Sequence, residues 1–503
     1  MGYFFKEINN LWKKREKSTF ALFFQVNDST AWIKSPFLEP LQAFLHSLNN
    51  IPPSSLEKAM KRIYHPLHLT ACRNCPSMLN RKSAPVIHEV SHLTLPCPEL
   101  VRLDNGIPLY VLDYPGQEIV KLEAVFRVGR PEEEKRLAAR ATSRLLREGT
   151  LQKTGAEIAE HLDFYGASVN IPTNLDTSSF SLFSVRKYAK EVIPTFAEML
   201  QSPAFREDEL ENFRRTNIQE LLVELEKGET VAYRKVTELI FGEHHPYGYN
   251  SMPEDYLAIQ RSDLQQFYDT WYTPANCLLF ASGRIDGEVL ELINQHLGSV
   301  PQGARPSAPA RRSPLPYLPV VPKKVAVPLP GSLQTAIKIG RRLFDRNHPD
   351  FNGLVILNTV LGGYFGSRLM TNVREKKGFT YNIYSTVDAY LQDGCMYIAT
   401  EVSPEKSAAA VRAIFSEMKK LREKPIPEEE LSMVRNYILG MLLNGLDGPI
   451  NSSDMVRNQI VENQTPEMFE AMVQTVRNIS GEDLQALAQQ YLQPNDFWVV
   501  KVG

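Results

Sequence analysis

The sequence predicts an α+β protein of two tandem homologous halves, each a mostly antiparallel sheet covered by helices, that form a clamshell. Two observations lead to this prediction. A series of residues recurs in the same order at a nearly constant spacing, and one proline-rich stretch separates the two copies. The chain has 503 residues, which is long enough for two large hydrophobic cores.

The recurring residues are most evident toward the C-terminal end of each half. Asp263-Leu264-Gln265, Trp271, Pro274 and Gly283 recur as Asp483-Leu484-Gln485, Tyr491, Pro494 and Gly503, each 220 positions later. Glu209-Leu210 and Arg214 recur as Glu430-Leu431 and Arg435, 221 positions later. Val128-Gly129-Arg130 recurs as Ile339-Gly340-Arg341, 211 positions later. The order and spacing of these matches indicate a duplicated α+β unit.

Composition along the chain predicts four regions. Residues 1–77 show no clear pattern and are expected to be an extension outside the fold, for which a misassigned start codon is one explanation. The N-terminal half is expected at 78–298, a linker at 299–325 and the C-terminal half at 326–503. The linker contains PQGARPSAPARRSPLPYLPVVP, a composition typical of a semi-rigid spacer.

The overall composition excludes several classes of protein. The formal net charge is −2, so nothing indicates a nucleic-acid or anionic-membrane partner. No apolar run approaches the length of a membrane-spanning helix. The five cysteines are an odd number, which argues against a disulfide framework and is typical of a reducing compartment. We therefore expect a cytoplasmic protein.

The N-terminal half begins with β-structure and continues with helices. The segment 100–114 predicts a hairpin that turns at Asp104-Asn105-Gly106, and 121–129 predicts a further strand. The segment 131–150, PEEEKRLAARATSRLLREGT, predicts a helix, because a proline and three glutamates begin it and an arginine lies near its end. Its predicted apolar stripe consists of Leu137, Ala141, Leu145 and Leu146.

The most informative stretch of the C-terminal half is LGGYFGSRLMTNVREKKGFTYNIYS, at 361–385. A glycine-rich turn precedes Ser367, which can cap a short helix, and Gly378 ends that helix. Arg374 would lie late on the helix and Tyr381 on the strand that follows, so the turn between them aims both side chains into one space. A guanidinium and a phenol suit a carbonyl or a developing oxyanion. An exposed Arg and a half-buried Tyr are the plainer interpretation of the spacing alone.

This stretch resembles the C-terminal signature of the pitrilysin/insulinase family of zinc peptidases, of the mitochondrial processing peptidase type. That family shows a glycine-rich turn, then S-R-L, then R-E-K-x-G-x-x-Y with an aromatic residue three positions later. The matching residues are Ser367-Arg368-Leu369, Arg374-Glu375-Lys376, Gly378, Tyr381 and Tyr384. The resemblance extends over roughly residues 95 to 503, and it implies that Arg374 and Tyr381 bind substrate and polarise the scissile carbonyl group.

The same resemblance implies that the zinc motif of the family is degenerate here. The family carries H-x-x-E-H on a helix of the N-terminal half, and the corresponding positions are Arg140, Ser143 and Arg144. Glu220, or Glu224 if the register slips, takes the place of the further glutamate ligand. Because Arg has no lone pair to give a metal, we expect no zinc in this chain. We expect Glu220 to form ion pairs with the two arginines, although a plain exposed helix face is the alternative.

Two other sets of residues have the types that bind zinc. His88-Glu89-Val90-Ser91-His92 fits H-E-x-x-H, which requires a helix. Its surroundings predict an extended segment instead, with the two histidines about 13 Å apart at about 3.3 Å per residue. The second set lies in the N-terminal extension and consists of His65, His68, Cys72 and Cys75.

Taken together, the residues and the resemblance predict a zinc-lacking, non-catalytic subunit of a heterodimeric metallopeptidase that is inactive alone. The partner would be a homologous subunit that bears H-x-x-E-H and zinc, and the substrate would be an unstructured peptide. Two alternatives stay open. One is a purely structural subunit, like the respiratory-complex core proteins of this fold. The other is an autonomous zinc peptidase that uses residues 88–92.

Deletion of residues 1–77 should leave the stability of the protein nearly unchanged, because the duplicated unit is complete without them. The measurement is thermal unfolding of the full-length and shortened chains. A fall of more than a few degrees in Tm, equivalent to roughly 1–2 kcal/mol, would show that the extension packs on the core.

Overall fold

The computed structural model describes Val90 and residues 92–172, 174–299 and 323–503. The strands of the first half are β1 (Glu99–Arg102), β2 (Pro108–Asp113), β3 (Ile119–Phe126), β4 (Ser168–Asn170), β5 (Ser178–Val185) and β6 (Cys277–Gly283). Its helices are α1 (Ala138–Leu145), α2 (Gly155–Phe164), α3 (Ala189–Gln201), α4 (Glu207–Leu225), α5 (Gly228–Phe241), α6 (Pro253–Ala258), α7 (Arg261–Trp271) and α8 (Gly287–Leu297).

The second half repeats this pattern. Its strands are β7 (Lys324–Val327), β8 (Thr335–Leu343), β9 (Ile383–Ala389), β10 (Gly394–Val402) and β11 (Trp498–Val502). Its helices are α9 (Phe351–Asn358), α10 (Ser407–Glu423), α11 (Glu428–Gly445), α12 (Gly448–Val461), α13 (Pro466–Asn478) and α14 (Gly481–Tyr491), with π-helical turns at Thr359–Gly363 and Met370–Lys376. Within the described residues, no helix combines the length and apolar composition needed to cross a membrane.

The two sheets share one topology. The first has the strand order β1-β2-β6-β3-β5-β4, and the second has the order β7-β11-β8-β10-β9. Strands β2 and β6 are parallel, as are β7 and β11, whereas the other neighbouring strands are antiparallel. The second sheet therefore reproduces the last five strands of the first in the same order. The predicted α+β class and the duplication are confirmed.

Each sheet is covered on one face by helices of its own half. In the first half the buried side chains of β3, including Leu122 and Ala124, join a core with α3 and α7. In the second half Ile337 and Ile339 of β8 join a core with α10 and α14. These layers leave the opposite face of each sheet to be covered by other residues.

A helix of the other half covers that opposite face. Helix α5 of the first half packs on β8 and β11, where Ala232 and Val236 meet Val500. Helix α12 of the second half packs on β2 and β6, where Val461 meets Phe280. The two helices begin 220 positions apart, at Gly228 and Gly448, so the duplicated unit exchanges the same helix in both directions.

Buried charges lie at the contact between the first sheet and α12. Lys121 and Glu123 of β3 are 2% and 0% exposed. Lys121 Nζ lies 2.6 Å from Asp454 and 3.3 Å from Glu123, and Arg457 Nη1 lies 2.7 Å from Glu123. Since Asp454 and Arg457 belong to α12, this network joins the first sheet to the exchanged helix. Buried charges of this kind are tolerated only when they are paired.

One predicted helix is shorter than expected. The segment 131–150 was predicted to be helical throughout, but α1 begins only at Ala138, after a 3₁₀ turn at Arg130–Glu132. Leu137 has φ = 71°, a left-handed conformation that interrupts the helix. The cause is local competition for backbone donors, because Gly129 N donates to Glu132 and Ala139 N donates to Glu133. The predicted apolar stripe is buried, although Leu137 precedes the helix.

Replacing Glu123 by Ala should lower the free energy of unfolding by about 3 kcal/mol, because it removes one partner from a buried ionic network. The measurement is urea unfolding of wild type and variant. The control is Glu423→Ala, which removes an exposed pair with Lys419 at 3.4 Å and should cost less than about 1 kcal/mol. Equal losses in the two variants would contradict a special role for the buried network.

Candidate functional site

A cavity of about 470 Å³ in the first half brings together the four residues at the degenerate zinc positions. Arg140, Ser143 and Arg144 lie on α1, with the two arginines four residues apart on one face. Glu220 lies on α4, which packs against α1. The spacing along α1 places Arg140, Ser143 and Arg144 at the cavity, and the packing of α4 on α1 adds Glu220. The resemblance predicts this arrangement for a former metal site.

The predicted ion pairs between Glu220 and the two arginines are wrong. Among the described residues, no carboxylate lies within 4.0 Å of Arg140 or Arg144. Arg140 instead donates to Asn217 Oδ1 at 2.8 Å and to the Tyr256 hydroxyl at 3.2 Å. Asn217 lies almost one turn before Glu220 on α4, and its amide donates to the Phe213 carbonyl, which turns the Asn217 oxygen toward Arg140.

The residues of this cavity do not fit a zinc ion. Tetrahedral zinc takes imidazole, thiolate or carboxylate ligands, and of the four positions only Glu220 offers one. The guanidinium groups of Arg140 and Arg144 have donors only and stay protonated. Among the described residues, no group of three or more His, Cys, Asp or Glu side chains is arranged to hold a metal ion.

The other two candidate zinc sets fall largely or wholly outside the described residues. This applies to His65, His68, Cys72 and Cys75, and to His88, Glu89 and Ser91 of the H-E-x-x-H match. Of that match only Val90 and His92 are described, and neither lies in a helix or a strand. The structure therefore does not test either set.

One wall of the cavity is a buried cluster around Tyr249. Its hydroxyl donates to Glu133, and the guanidinium carbons of Arg130 and Arg136 lie 4.3 and 5.0 Å from its ring centre. Burial raises the pKa of Glu133 above its usual range, and burial raises the pKa of the neighbouring Glu132 to about 7. Sequence analysis missed this cluster, because the contact between Glu133 and Tyr249 joins residues that are far apart in the chain.

In the second half, Arg374 and Tyr381 do come together. The Arg374 guanidinium carbon lies 5.4 Å from the centre of the Tyr381 ring and 4.7 Å from the centre of the Phe365 ring. Arg374 lies late in the turn Met370–Lys376, as predicted, but that turn is π-helical. Tyr381 was predicted on the strand, yet it precedes β9 by two residues. Thr380 Oγ1 donates to the carbonyl groups of Asn382 and Glu401, which delays the start of the strand.

The polar atoms of this pair are available to a ligand. Tyr381 is 88% exposed. Within the described part of the chain, neither the Arg374 guanidinium nor the Tyr381 hydroxyl has a hydrogen-bond or ion-pair partner. Guanidinium and phenol groups donate hydrogen bonds to carbonyl and carboxylate oxygens. The arrangement can therefore bind an oxygen atom that carries, or gains, negative charge.

The segment that carries the pair is fixed to its neighbours by side-chain bonds. Arg368 forms a bidentate pair with Glu430 of α11, at 2.8 and 2.7 Å. Asn372 donates to Glu417 of α10. Gly378 has φ = 58°, and this left-handed turn suits glycine. These contacts hold the turn rigidly between two long helices and leave Arg374 at the surface.

Tyr384, the last aromatic residue of the signature, has a different surrounding. A cavity of about 240 Å³ beneath Tyr381 is lined by Tyr384, Lys338 and Glu229. The Tyr384 hydroxyl donates to Glu229 of α5 at 3.2 Å, and Lys338 Nζ lies 3.1 Å from the same carboxylate. Burial lowers the pKa of Lys338. Tyr384 thus contacts the exchanged helix, whereas Tyr381 is free.

An exposed apolar face adjoins this site and was also missed. Met433, Tyr437 and Met441 recur every fourth residue on α11 and are 55%, 39% and 54% exposed. The Tyr437 ring contacts the Tyr364 ring in a tilted arrangement, with 5.1 Å between the centroids, and Tyr364 immediately precedes Phe365. Their spacing is that of an ordinary core-facing stripe, so sequence alone could not distinguish this face from a buried one.

The two sites are separate within this chain. Neither Arg374 nor Tyr381 lines the cavity that contains Arg140 and Arg144. A further cavity of about 460 Å³ lies between the halves, and it is lined by neither member of the pair. The Arg374–Tyr381 pair is therefore not assembled with the degenerate zinc positions into one internal site.

The chain is similar in sequence to a described family and to curated proteins of two bacteria. Residues 258–438 match the family model described as Peptidase M16 inactive domain, a range that includes Arg374 and Tyr381 but not Arg140. An uncharacterised zinc protease of Mycobacterium tuberculosis (strain ATCC 25618 / H37Rv) is 23% identical over 363 residues, which are 71% of this chain and 81% of that protein. The non-peptidase homolog YmxG of Helicobacter pylori (strain ATCC 700392 / 26695) is 25% identical over 311 residues, 60% of this chain and 69% of that protein.

The fold has a solved counterpart. The crystal structure of a peptidase M16 inactive domain from Pseudomonas fluorescens is similar to this chain with a TM-score of 0.70 and 20% sequence identity. The likeness covers 81% of this chain and 98% of that chain. At this identity it shows a shared fold.

The purified chain should contain far less than one equivalent of zinc, because two guanidinium groups and a hydroxyl replace the ligands of the family motif. The measurement is elemental analysis after gel filtration, with and without added zinc. One tightly held equivalent that is lost in His88→Ala would overturn this expectation in favour of residues 88–92. Loss in Cys72→Ser would instead favour the set in the N-terminal extension.

Proposed function

We propose that this chain, a non-catalytic member of the pitrilysin-type (M16) peptidase family with a degenerate H-x-x-E-H motif, is the zinc-lacking subunit of a heterodimeric metallopeptidase. The partner would be a homologous subunit that carries H-x-x-E-H and zinc. The substrate would be an unstructured peptide or protein segment. In this heterodimer, Arg374 and Tyr381 complete an active site whose metal lies in the partner subunit.

The observation that carries the proposal is the unused donor capacity of Arg374 and Tyr381. Tyr381 is exposed and Arg374 is half-buried, and within the described residues neither side chain uses its hydrogen-bond donors. A pair with only a structural role would be expected to satisfy these groups internally, as Arg368 does with Glu430. Free donors at the surface indicate a ligand that arrives from outside the chain.

The chemistry of the two groups suits peptide hydrolysis. Attack on a peptide bond moves negative charge onto the carbonyl oxygen, and donors that face this oxygen stabilise the transition state. Arg374 supplies a fixed positive charge, and Tyr381 supplies one O–H donor. Zinc, when bound in the partner, would supply the Lewis acid and the activated water. This chain would contribute substrate binding and charge stabilisation, but not the nucleophile.

The comparisons support the non-catalytic part of the proposal. The matching family model is named for an inactive domain, and the Helicobacter pylori relative is named a non-peptidase homolog. A purely structural subunit is the second candidate, and it agrees equally well with those names. The exposure and free donors of Arg374 and Tyr381 favour the shared site over the scaffold.

In a reconstituted pair, Arg374→Ala and Tyr381→Phe should each reduce the turnover of an unstructured peptide. Lost oxyanion donors typically cost about 10²–10³ in rate, and Arg374→Ala should also raise KM because it removes a substrate contact. The measurement is kcat and KM with an H-x-x-E-H homologue, after gel filtration has shown that the pair forms.

A matched control is Arg215→Ala, because Arg215 is an exposed arginine of α4 whose hydrogen bond within the described part of the chain is to Asn212 on its own helix. This variant should retain the kcat/KM of the wild-type pair. Unchanged kcat/KM in both Arg374→Ala and Tyr381→Phe, with the pair intact, would reject the shared site in favour of the scaffold.

A further inference from the structure

Phe365 is an exposed aromatic residue with an unusual neighbour. Its side chain is 66% exposed, although exposure of a large apolar side chain is unfavourable. The guanidinium carbon of Arg374 lies over its ring, 4.7 Å from the centre. This is closer than the distance of 5.4 Å from Arg374 to Tyr381. Both distances fall within the range of favourable cation–π contact.

Ring contacts position a guanidinium differently from hydrogen bonds. A carboxylate partner would orient the planar group by occupying its N–H donors. An aromatic ring instead contacts the face of the guanidinium and leaves the donors in its plane unused. Within the described residues, the guanidinium of Arg374 has ring contacts only. These ring contacts leave its N–H donors available to bind an oxygen atom.

The backbone that carries Phe365 is itself tightly constrained. Ser367 N donates to the Tyr364 carbonyl at 3.1 Å. A Cβ at Gly366 would lie 2.7 Å from the Tyr364 ring, and one at Gly362 would lie 2.7 Å from Ser385 N. Gly362 is thus required by its close approach to the backbone of Ser385, whereas the neighbour of Gly366 is the outer part of the Tyr364 side chain. The turn between them presents Phe365 in a defined place rather than on a loose loop.

We propose that Phe365 is a positioning residue for Arg374, which holds the guanidinium by its face so that its N–H donors point to the substrate oxygen. The role in turnover rests on the proposed function, since Arg374 is the group that would bind the substrate. Phe365 lies outside the residues that match the family signature, nine positions before Arg374. Phe365 would affect the binding of substrate only by positioning Arg374.

The test uses three substitutions in the full-length chain. Phe365→Ala removes the ring, Phe365→Leu keeps apolar bulk without an aromatic face, and Phe365→Trp restores the face. The first readout is the Nε–Hε resonance of Arg374 in arginine-labelled protein, assigned with Arg374→Lys. The chemical shift of this resonance should depend on Phe365, because an aromatic ring shifts the resonances of nearby protons. The resonance should move in the Ala and Leu variants, whereas the Trp variant should keep a ring-induced shift.

The second readout is kcat/KM in the reconstituted pair. Phe365→Ala and Phe365→Leu should lower it by about 3- to 30-fold, the range that cation–π contacts account for, and Phe365→Trp should restore most of the loss. In an Arg374→Ala background, Phe365→Ala should have no further effect, because the two residues act as a unit. The control variant is Phe164→Ala. It removes another highly exposed phenylalanine ring, which contacts Tyr165, and it should leave kcat/KM unchanged.

The outcomes separate this proposal from the proposed function. An Arg374 resonance that stays in place in Phe365→Ala would overturn the positioning role. An equal loss of turnover with and without Arg374 would also overturn it, because Phe365 would then contact substrate directly. If the wild-type pair shows no turnover, the proposed function fails, and the Arg374 resonance alone decides the positioning role.

Discussion

Each half of this molecule is completed by a helix of the other half, and the remaining architecture depends on this exchange. A sheet with helices on one face only would expose its second face, which in β3 includes Lys121 and Glu123. Helix α12 covers that face and supplies Asp454 and Arg457 as partners. Neither half could bury its own sheet alone, so the two halves are expected to fold as one cooperative unit.

The same exchange determines what each half presents at its surface. Helix α5 contributes Glu229, which holds Lys338 and Tyr384 beneath the turn that carries Tyr381. Tyr384, the second aromatic residue of the signature, is therefore bonded to Glu229 and has a structural role. Tyr381, three residues earlier, is left free at the surface. One exchanged helix therefore separates a structural tyrosine from an exposed one.

Duplication also allows the two halves to be compared position by position. Helices α4 and α11 are related by 221 positions, so Asn212, Thr216 and Glu220 correspond to Met433, Tyr437 and Met441. The first set lines a polar cavity, whereas the second set forms an exposed apolar face beside Phe365. The corresponding helix faces of the two halves therefore differ in chemistry, with polar side chains in the first half and apolar side chains in the second.

Sequence reasoning predicted the fold class because a duplication leaves matches throughout the chain. It placed Arg374 late in a helical turn and close to Tyr381 because turn and helix signals are local, whereas a role for these two residues in substrate binding was implied only by the family resemblance. Its predictions were wrong where the local structure depends on contacts with residues elsewhere in the chain. The start of α1 at Ala138 depends on Glu133, whose carboxylate is shared with Tyr249. The absence of a pair between Arg140 and Glu220 depends on Asn217. The contact of Phe365 with Arg374 depends on a π-helical turn, and residue pattern alone does not separate this from an α-helix.

A single substitution would not turn the cavity around Arg140 and Arg144 into a zinc site. Arg140 and Arg144 face one space from successive turns of α1. If either one were replaced by His, the other arginine would still lie one helical turn away on the same face, with roughly 5–6 Å between the Cβ atoms. Two like charges at such a distance repel strongly in a partly buried cavity. Zinc binding would need both arginines to change together, along with Ser143 and the residues that orient the ligands.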